Sequence, residues 1–371
     1  MEQEDLRELE NRCIQECAPW CTAQCPVHVD VQAMLAAVSA GDFAGAAGVF
    51  RKKVPFAGIV SHVCDHPCQD VCRRTAVDAT VSIRSVERAA LYHGFPKKIS
   101  IGPLPGEGKK VAVVGAGLSG LTAALELTSK GHTIVLFEAS FSLGGSVWDH
   151  PKTSLPRKVI QEDFEIVRNS PIRIHYGTVL GREFTLSDLE EDFDAVYLGI
   201  GTGFTWSEQI EKDEIGRVKA DPITFQTGRS AVFAAGGPLA ETGRRSEIRS
   251  ISDGRRAAVS IDRFLKKVSL TASRENEGVY ETRLFTSVEG IEPKPPVATV
   301  DPRGVYAPEE AMSEAARCLQ CECMECVKVC EYLAHYKGYP KKYVRQIYNN
   351  LSIVMGQRHG NKFINSCSLC G

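Results

Sequence analysis

The residues of this chain with the clearest chemical potential are its cysteines. There are 14 in 371 residues, and none lies between Cys72 and Cys318. Cys13, Cys17, Cys21 and Cys25 follow a C-x3-C-x3-C-x3-C spacing that ends at Pro26. Cys64, Cys68 and Cys72 follow C-x3-C-x3-C. Near the other end, Cys318, Cys321, Cys323, Cys326 and Cys330 are packed closely, and Cys367 with Cys370 opens a further C-x2-C run. Disulfide frameworks belong to small secreted domains, whereas thiols grouped at both ends of a chain this long point to metal. An iron–sulfur cluster needs thiolates converging on one cube, commonly with one ligand from a distant segment. Zinc prefers C-x2-C pairs and four ligands per site, which seven N-terminal cysteines suit poorly. The Cys323–Cys330 spacing, C-x2-C-x3-C, matches part of a ferredoxin ligand run, with Cys318 or Cys321 as the remaining near ligand and Cys367 and Cys370 opening its partner run.

A second chemical signature lies between the cysteine groups. Gly115-Ala-Gly117-Leu-Ser-Gly120 directly follows an apolar strand, Val111 to Val114, and opens a helical run through Lys130. In that setting the first glycine permits a tight turn, the second a close backbone approach to a pyrophosphate, and the third close helix–strand packing. The helix N-terminus adds partial positive charge for the phosphates. The next strand, His132 to Phe137, ends at Glu138, whose carboxylate is placed for ribose hydroxyls. Gly144 and Gly145 follow soon after, as is usual when the dinucleotide is FAD. Two more buried strands are expected, one ending near Gly201 and one running from Ser230 into Gly236 and Gly237. A helix from Ser250 to Leu265 closes this zone.

The order of these motifs over residues 12 to 267 resembles the small subunit of glutamate synthase and the N-terminal half of dihydropyrimidine dehydrogenase. The resemblance implies FAD on Gly115, Gly117, Gly120 and Glu138, with the strand to Gly236 and the helix after it reaching the flavin end. It also implies two N-terminal [4Fe-4S] clusters. Cys13, Cys17, Cys21 and Cys72 would hold the first; Cys25, Cys64 and Cys68 would hold the second, with Glu87 at the position of the family's Gln or Glu ligand. Read without the resemblance, Glu87 beside Arg84 and Arg88 is a solvated ion pair. Three departures stand out. The first cysteine gap is x3 where the family commonly has x2. Gly237 replaces the family's Asp. The stretch Phe204 to Ser230 is too short to hold the family's inserted NADPH domain, so no nicotinamide site is expected in this chain.

The elements that must position these groups divide the chain into four zones. Residues 1–105 form an α-helical di-cluster domain with helices near Asp30 to Ala40 and Asp42 to Lys52. Residues 106–267 form an α/β Rossmann-like FAD-binding domain. Residues 268–306 are expected to be an extended linker, and residues 307–371 a ferredoxin-like helical iron–sulfur segment, read as cut within a cluster motif, with at least one cluster. Formal net charge is -2, which gives no general attraction to nucleic acid or anionic membranes. The acidic N-terminus lacks the apolar core of a signal peptide, and no apolar stretch is long enough for membrane insertion, so a cytoplasmic setting is expected. No catalytic acid or base is nominated; His62 and His66, flanking Cys64, are read as ordinary histidines. The basic, tyrosine-rich stretch from Tyr336 to Arg345 is read as a solvated helix face, or else as a dock for an acidic partner. The function expected is an oxidoreductase subunit that relays electrons between [4Fe-4S] clusters and FAD, with a redox partner protein or further domain completing the circuit. The alternative is a non-redox scaffold that kept the fold and lost FAD.

Overall fold

The computed structural model describes residues 3–94, 108–201, 210–212, 214, 218–235, 246–301 and 304–352. The N-terminal part is helical: α1 (Gln3–Arg12), α2 (Trp20–Gln24), α3 (Val31–Ser39), α4 (Phe43–Arg51), α5 (Ala57–Val63), α6 (Pro67–Asp70) and α7 (Ile83–His93). Local chemistry explains where α3 and α4 begin. Asp30 accepts from the Ala33 amide at 3.0 Å and Asp42 from the Gly45 amide at 2.8 Å, each capping a free helix N-terminus. Behind each cap, apolar residues at helical spacing are buried, including Met34, Leu35, Val38, Ala46 and Phe50.

The α/β part comprises β1 (Lys110–Val114), α8 (Leu118–Ser129), β2 (Thr133–Glu138), α9 (Arg157–Asp163), α10 (Glu165–Arg168), β3 (Arg173–Tyr176), α11 (Leu186–Asp192), β4 (Ala195–Leu198), β5 (Val232–Ala234) and α12 (Glu247–Leu265). The strands form one parallel sheet in the order β3-β2-β1-β4-β5. Both faces are covered, which is why β1 reads as an unbroken apolar run. Val111 and Val113 join a core shared with α8, α12 and the N-terminal helices, while Ala112 and Val114 pack with Leu186 and Leu189 of α11. Between β4 and β5 the described residues form only turns and isolated antiparallel bridges such as Ala220 with Thr227. Helix α12 starts before Ser250 because the Ser246 hydroxyl accepts from the Arg249 amide and caps it.

Residues 268–301 contain no helix or strand, yet they are not a free linker. They form a strap laid along the N-terminal part. The Tyr280 amide donates to Ala23 O, the Thr282 hydroxyl to Ala18 O at 2.6 Å, and the Trp20 indole to Leu284 O at 2.9 Å. Past the strap come α13 (Pro308–Ala315), α14 (Glu325–Val329), α15 (Glu331–His335) and α16 (Pro340–Ser352). Helix α13 packs on α3 and α7, and α16 packs on α1, so the two ends of the chain meet. The basic stretch is not simply a solvated helix face, because part of it pairs with acidic residues of α1 and the loop after it. Arg345 pairs with Glu10 and Glu16 at 2.6 Å, and the Tyr339 hydroxyl donates to Glu16 at 2.8 Å.

A buried ionic cluster locks this junction. Arg317 is 2% exposed, and all five of its N–H donors are used. They reach Glu314 (2.6 Å), Asp78 (3.0 Å) and the carbonyls of Lys294, Thr80 and Ala79. Arg74 also binds Asp78 and donates to Arg317 O and Glu292 O, each at 3.1 Å. The Glu314 carboxylate accepts from the amides of Ser82 and Val297. The Arg74 guanidinium holds the Asp78 carboxyl well below the usual carboxylate range, helped by the amides of Lys294 and Ala79 and by Arg317, against the opposing pull of desolvation. Breaking one partner of such a buried pair strands the others, so Arg317→Met is expected to cost about 3–5 kcal/mol, with part recovered by adding Glu314→Leu. Thermal melts of the anaerobically purified variants check this. Because the Asp78 pKa is depressed on folding, its contribution is present above the ordinary carboxylate pKa of about 4 and is lost as pH falls below it. A melting temperature that holds constant well below that pH would contradict the assignment.

Candidate functional site

Two sites emerge, and they adjoin. The first is a cavity of about 920 Å³ at the C-terminal edge of the sheet. Gly115, Gly117, Glu138, Gly144, Gly145 and Gly201 all line it. Gly115 has φ +100°. Gly120 does not line the cavity; it is buttressing instead. A Cβ there would stand 1.9 Å from Gly115 O, so the position must be glycine for α8 to sit against the turn. Gly117 is the opposite case. It caps α8 without a side chain, and a Cβ there would meet no protein atom within 4 Å. The helix N-terminus therefore opens onto the cavity, where its partial positive charge suits an anionic group. Glu138 accepts from the amides of Ala116 (2.6 Å) and Ser140 (2.8 Å), which fixes its carboxylate at the cavity wall. Gly236 and Gly237 lie outside the described residues.

The cavity reaches beyond the sheet to Pro26, the residue after Cys25, and to the start of α12. Two hydrogen bonds join it to the thiol-bearing segments. The Ser252 hydroxyl donates to Pro26 O at 2.8 Å, and the Ser246 hydroxyl donates to Asp65, between Cys64 and His66, at 2.9 Å. Ser252 carries no sequence signal beyond its place on the helix after the last strand, and Ser246 precedes the helix expected from Ser250.

The second site is the set of cysteines. Cys25, Cys64, Cys68 and Glu87 lie within electrostatic reach of one another. Burial, then the neighbouring Glu87 and Cys25, push the Cys64 thiol well above its ordinary range; burial, then Cys25, Glu87 and Cys64, do the same to Cys68. Glu87 is buried, and its Oε1 has no hydrogen-bond partner. Burial raises its pKa to about 8. Arg84 turns away to the carbonyls of Ser61 and His62, so the solvated ion pair is not formed. An unpartnered carboxylate oxygen beside three thiols fits a fourth ligand position. His62 binds Gly58 O at 2.8 Å, while His66 supplies its amide to Cys64 Sγ at 3.4 Å from a left-handed backbone.

The remaining thiols are arranged differently from the expected set. Cys21 and Cys72 line one small cavity together with Cys318 and Cys321. Burial, then Cys318, Cys321 and Cys72, push the Cys21 thiol up to about 12. Cys318 is pushed up to about 11, chiefly by burial. Cys13 and Cys17 do not line this cavity. Their stretch is drawn toward the C-terminal segment, where the Gln15 side chain accepts from the Cys323 amide at 2.6 Å and Glu16 pairs with Arg345. Nor does the cavity include Cys323, Cys326 or Cys330, so Cys318 and Cys321 part company with that run. Cys367 and Cys370 lie outside the described residues. Among the described residues, no three His, Cys, Asp or Glu side chains are set to hold one metal ion. Cys21, Cys72, Cys318 and Cys321 all lie within electrostatic reach of one another, so four thiols converge as an iron–sulfur cluster requires.

Comparison with known proteins finds iron–sulfur and dinucleotide-binding families along the chain. A family described as dihydropyrimidine dehydrogenase domain II, 4Fe-4S cluster, matches residues 1–98. An NAD(P)-binding Rossmann-like domain matches residues 113–157, and a 4Fe-4S dicluster domain matches residues 317–371. Region by region, the chain is similar to the glutamate synthase small subunit and to dihydropyrimidine dehydrogenase domain II. The glutamate synthase [NADPH] small chain of Escherichia coli is 26% identical over 64% of this chain and 56% of its own length. The beta subunit of NADPH-Fe(3+) oxidoreductase from Geobacter sulfurreducens is 31% identical over 53% of this chain and 30% of its own. The beta subunit of NADP(+)-dependent formate dehydrogenase from Moorella thermoacetica is 30% identical over 49% and 29%. The chain thus spans about 30% of the length of these last two relatives. The matched regions place 4Fe-4S domains on both sides of a Rossmann-like domain. No helix among the described residues is long and apolar enough to cross a membrane.

The unpartnered Glu87 oxygen yields a specific expectation. Glu87→Gln keeps an oxygen ligand and should retain iron near the wild-type level, whereas Glu87→Ala should lose about four irons per chain. Iron analysis and the EPR spectrum of the reduced variants test this; equal iron in Glu87→Ala and wild type would remove Glu87 from the ligand set.

Proposed function

We propose that this chain is an electron-transfer flavoprotein module, carrying FAD in the cavity above Gly117 and passing electrons between it and [4Fe-4S] clusters. The observation that carries the reading is adjacency. The dinucleotide cavity is walled by Pro26, next in sequence to Cys25, and by Ser246, hydrogen-bonded to Asp65 next to Cys64. The residues fit FAD: an α8 N-terminus facing the cavity, an open approach over Gly117, a fixed Glu138 carboxylate, and a cavity that continues past the nucleotide end toward the cysteine-bearing segments. When bound, FAD exchanges electrons singly or in pairs, which lets it connect two-electron donors to one-electron clusters.

The chain's own residues orient and insulate. Gly117 admits the pyrophosphate, Glu138 marks the ribose, and α12 holds Ser246 and Ser252 between the flavin end and the cysteine segments. With one dinucleotide crevice assigned to FAD, a partner chain or a further domain supplies the donor or acceptor. The relatives are themselves named as subunits.

The test is flavin and iron content measured on one acid-extracted, anaerobically purified sample. About one FAD per chain with about eight or more irons is the expected result. Iron without flavin would leave a cluster-bearing scaffold and defeat the proposal. Gly117→Val sharpens the test. Its side chain would project into open space, so the fold should persist while flavin content drops at least tenfold. Gly120→Ala should instead lower thermal stability through the clash with Gly115 O.

A further inference from the structure

We propose that the first N-terminal cluster is held by Cys21, Cys72, Cys318 and Cys321, two ligands from each end of the chain. The inference rests on the cluster content of the chain and not on its flavin. Geometry carries it. These four residues are the thiols around a single cavity whose other walls are mainly apolar, among them Leu35, Val71, Ile83 and Leu319. Arg73 and Arg74 also border it and offset the negative charge of bound thiolates.

The C-terminal pair is built into place. Arg317, directly before Cys318, is locked into the buried ionic cluster, and its carbonyl accepts from Arg74, two residues after Cys72. Gln32 and Gln320 form a reciprocal clamp: the Gln32 amide donates to Cys321 O at 2.8 Å, and the Gln320 amide donates to Gln32 O at 3.2 Å. Gln320 adopts a left-handed backbone (φ 47°) and aims its N–H at Cys318 Sγ, 3.5 Å away. The same device recurs at His66 and Cys64 in the second thiol set. Two segments remote in sequence thus present a thiol through the same loop, with a backbone N–H two residues on ready to stabilise the thiolate sulfur.

Ligation needs no redox partner. Each thiol gives up its proton as its sulfur binds iron, and a preassembled cluster is the co-reactant. The consequence is structural: the cluster staples the C-terminal segment over the N-terminal domain, and the N-terminal site cannot fill until the strap has laid Cys318 and Cys321 in place.

The test uses the wild-type full-length chain. Its clusters are dismantled gradually with ferricyanide and an iron chelator, thiols are pulse-alkylated, and each cysteine is followed by peptide mass spectrometry. Cysteines sharing a cluster become reactive together. Cys21, Cys72, Cys318 and Cys321 are expected to share one time course, distinct from that of Cys25, Cys64 and Cys68. The proposal is overturned if Cys13 and Cys17 move with Cys72 while Cys318 and Cys321 follow Cys323 to Cys330. If all thiols respond together, a second comparison decides: the double variant Cys318→Ser/Cys321→Ser should lose the same EPR component as Cys72→Ser, and retention of that component refutes the assignment. A wild-type chain devoid of iron would instead defeat the cluster reading as a whole.

Discussion

The Arg317 guanidinium is the point at which the two ends of this chain are fastened, and the geometry of the thiols depends on it. A buried cation in a low-dielectric setting is tolerable only when every donor is met. Here the acceptors come from α13 (Glu314), the strap (Lys294) and the loop after Cys72 (Asp78, Ala79, Thr80). No one of these segments could satisfy the charge alone. Folding that buries Arg317 therefore fixes, in one step, the relative positions of Cys72 and Cys318.

The second organising element is α12. Its tight seat against α8 comes from Gly254, where a Cβ would stand 2.2 Å from Ser119 O. That close packing sets the register of the helix over the sheet and brings Ser246 and Ser252 to the segments bearing Cys64 and Cys25. The dinucleotide cavity and the second thiol set are thus held by one rigid helix rather than by a loop. For electron exchange this matters more than any acid or base, because the protein's contribution is distance, orientation and local polarity.

Much of this was legible from residue patterns. The parallel sheet followed from apolar runs ending in glycines, and α3 and α4 from aspartates placed one residue before Ala-rich helical text. The Gly115–Gly120 turn and Glu138 stand where the strand–turn–helix context required. Pairings between distant segments were not legible. Glu87 looked like one member of a surface ion pair because its burial depends on helices packed from elsewhere. Residues 268–301 read as part of a linker because they are held by hydrogen bonds to the N-terminal part, which leave no periodicity. The partnership of Cys318 and Cys321 with Cys21 and Cys72 did leave a trace: the N-terminal run lacks the x2 cysteine gap common in the related family, and a C-x2-C pair stands at Cys318 and Cys321.

The central claim is that the cavity above Gly117 and the clusters form one conducting unit. Flash photoreduction of the FAD-loaded chain, followed by freeze-quench EPR, addresses it directly. The account predicts that flavin absorbance recovers within milliseconds while the reduced-cluster signal grows by an equal number of electrons. A flavin that stays reduced beside oxidised clusters would contradict it.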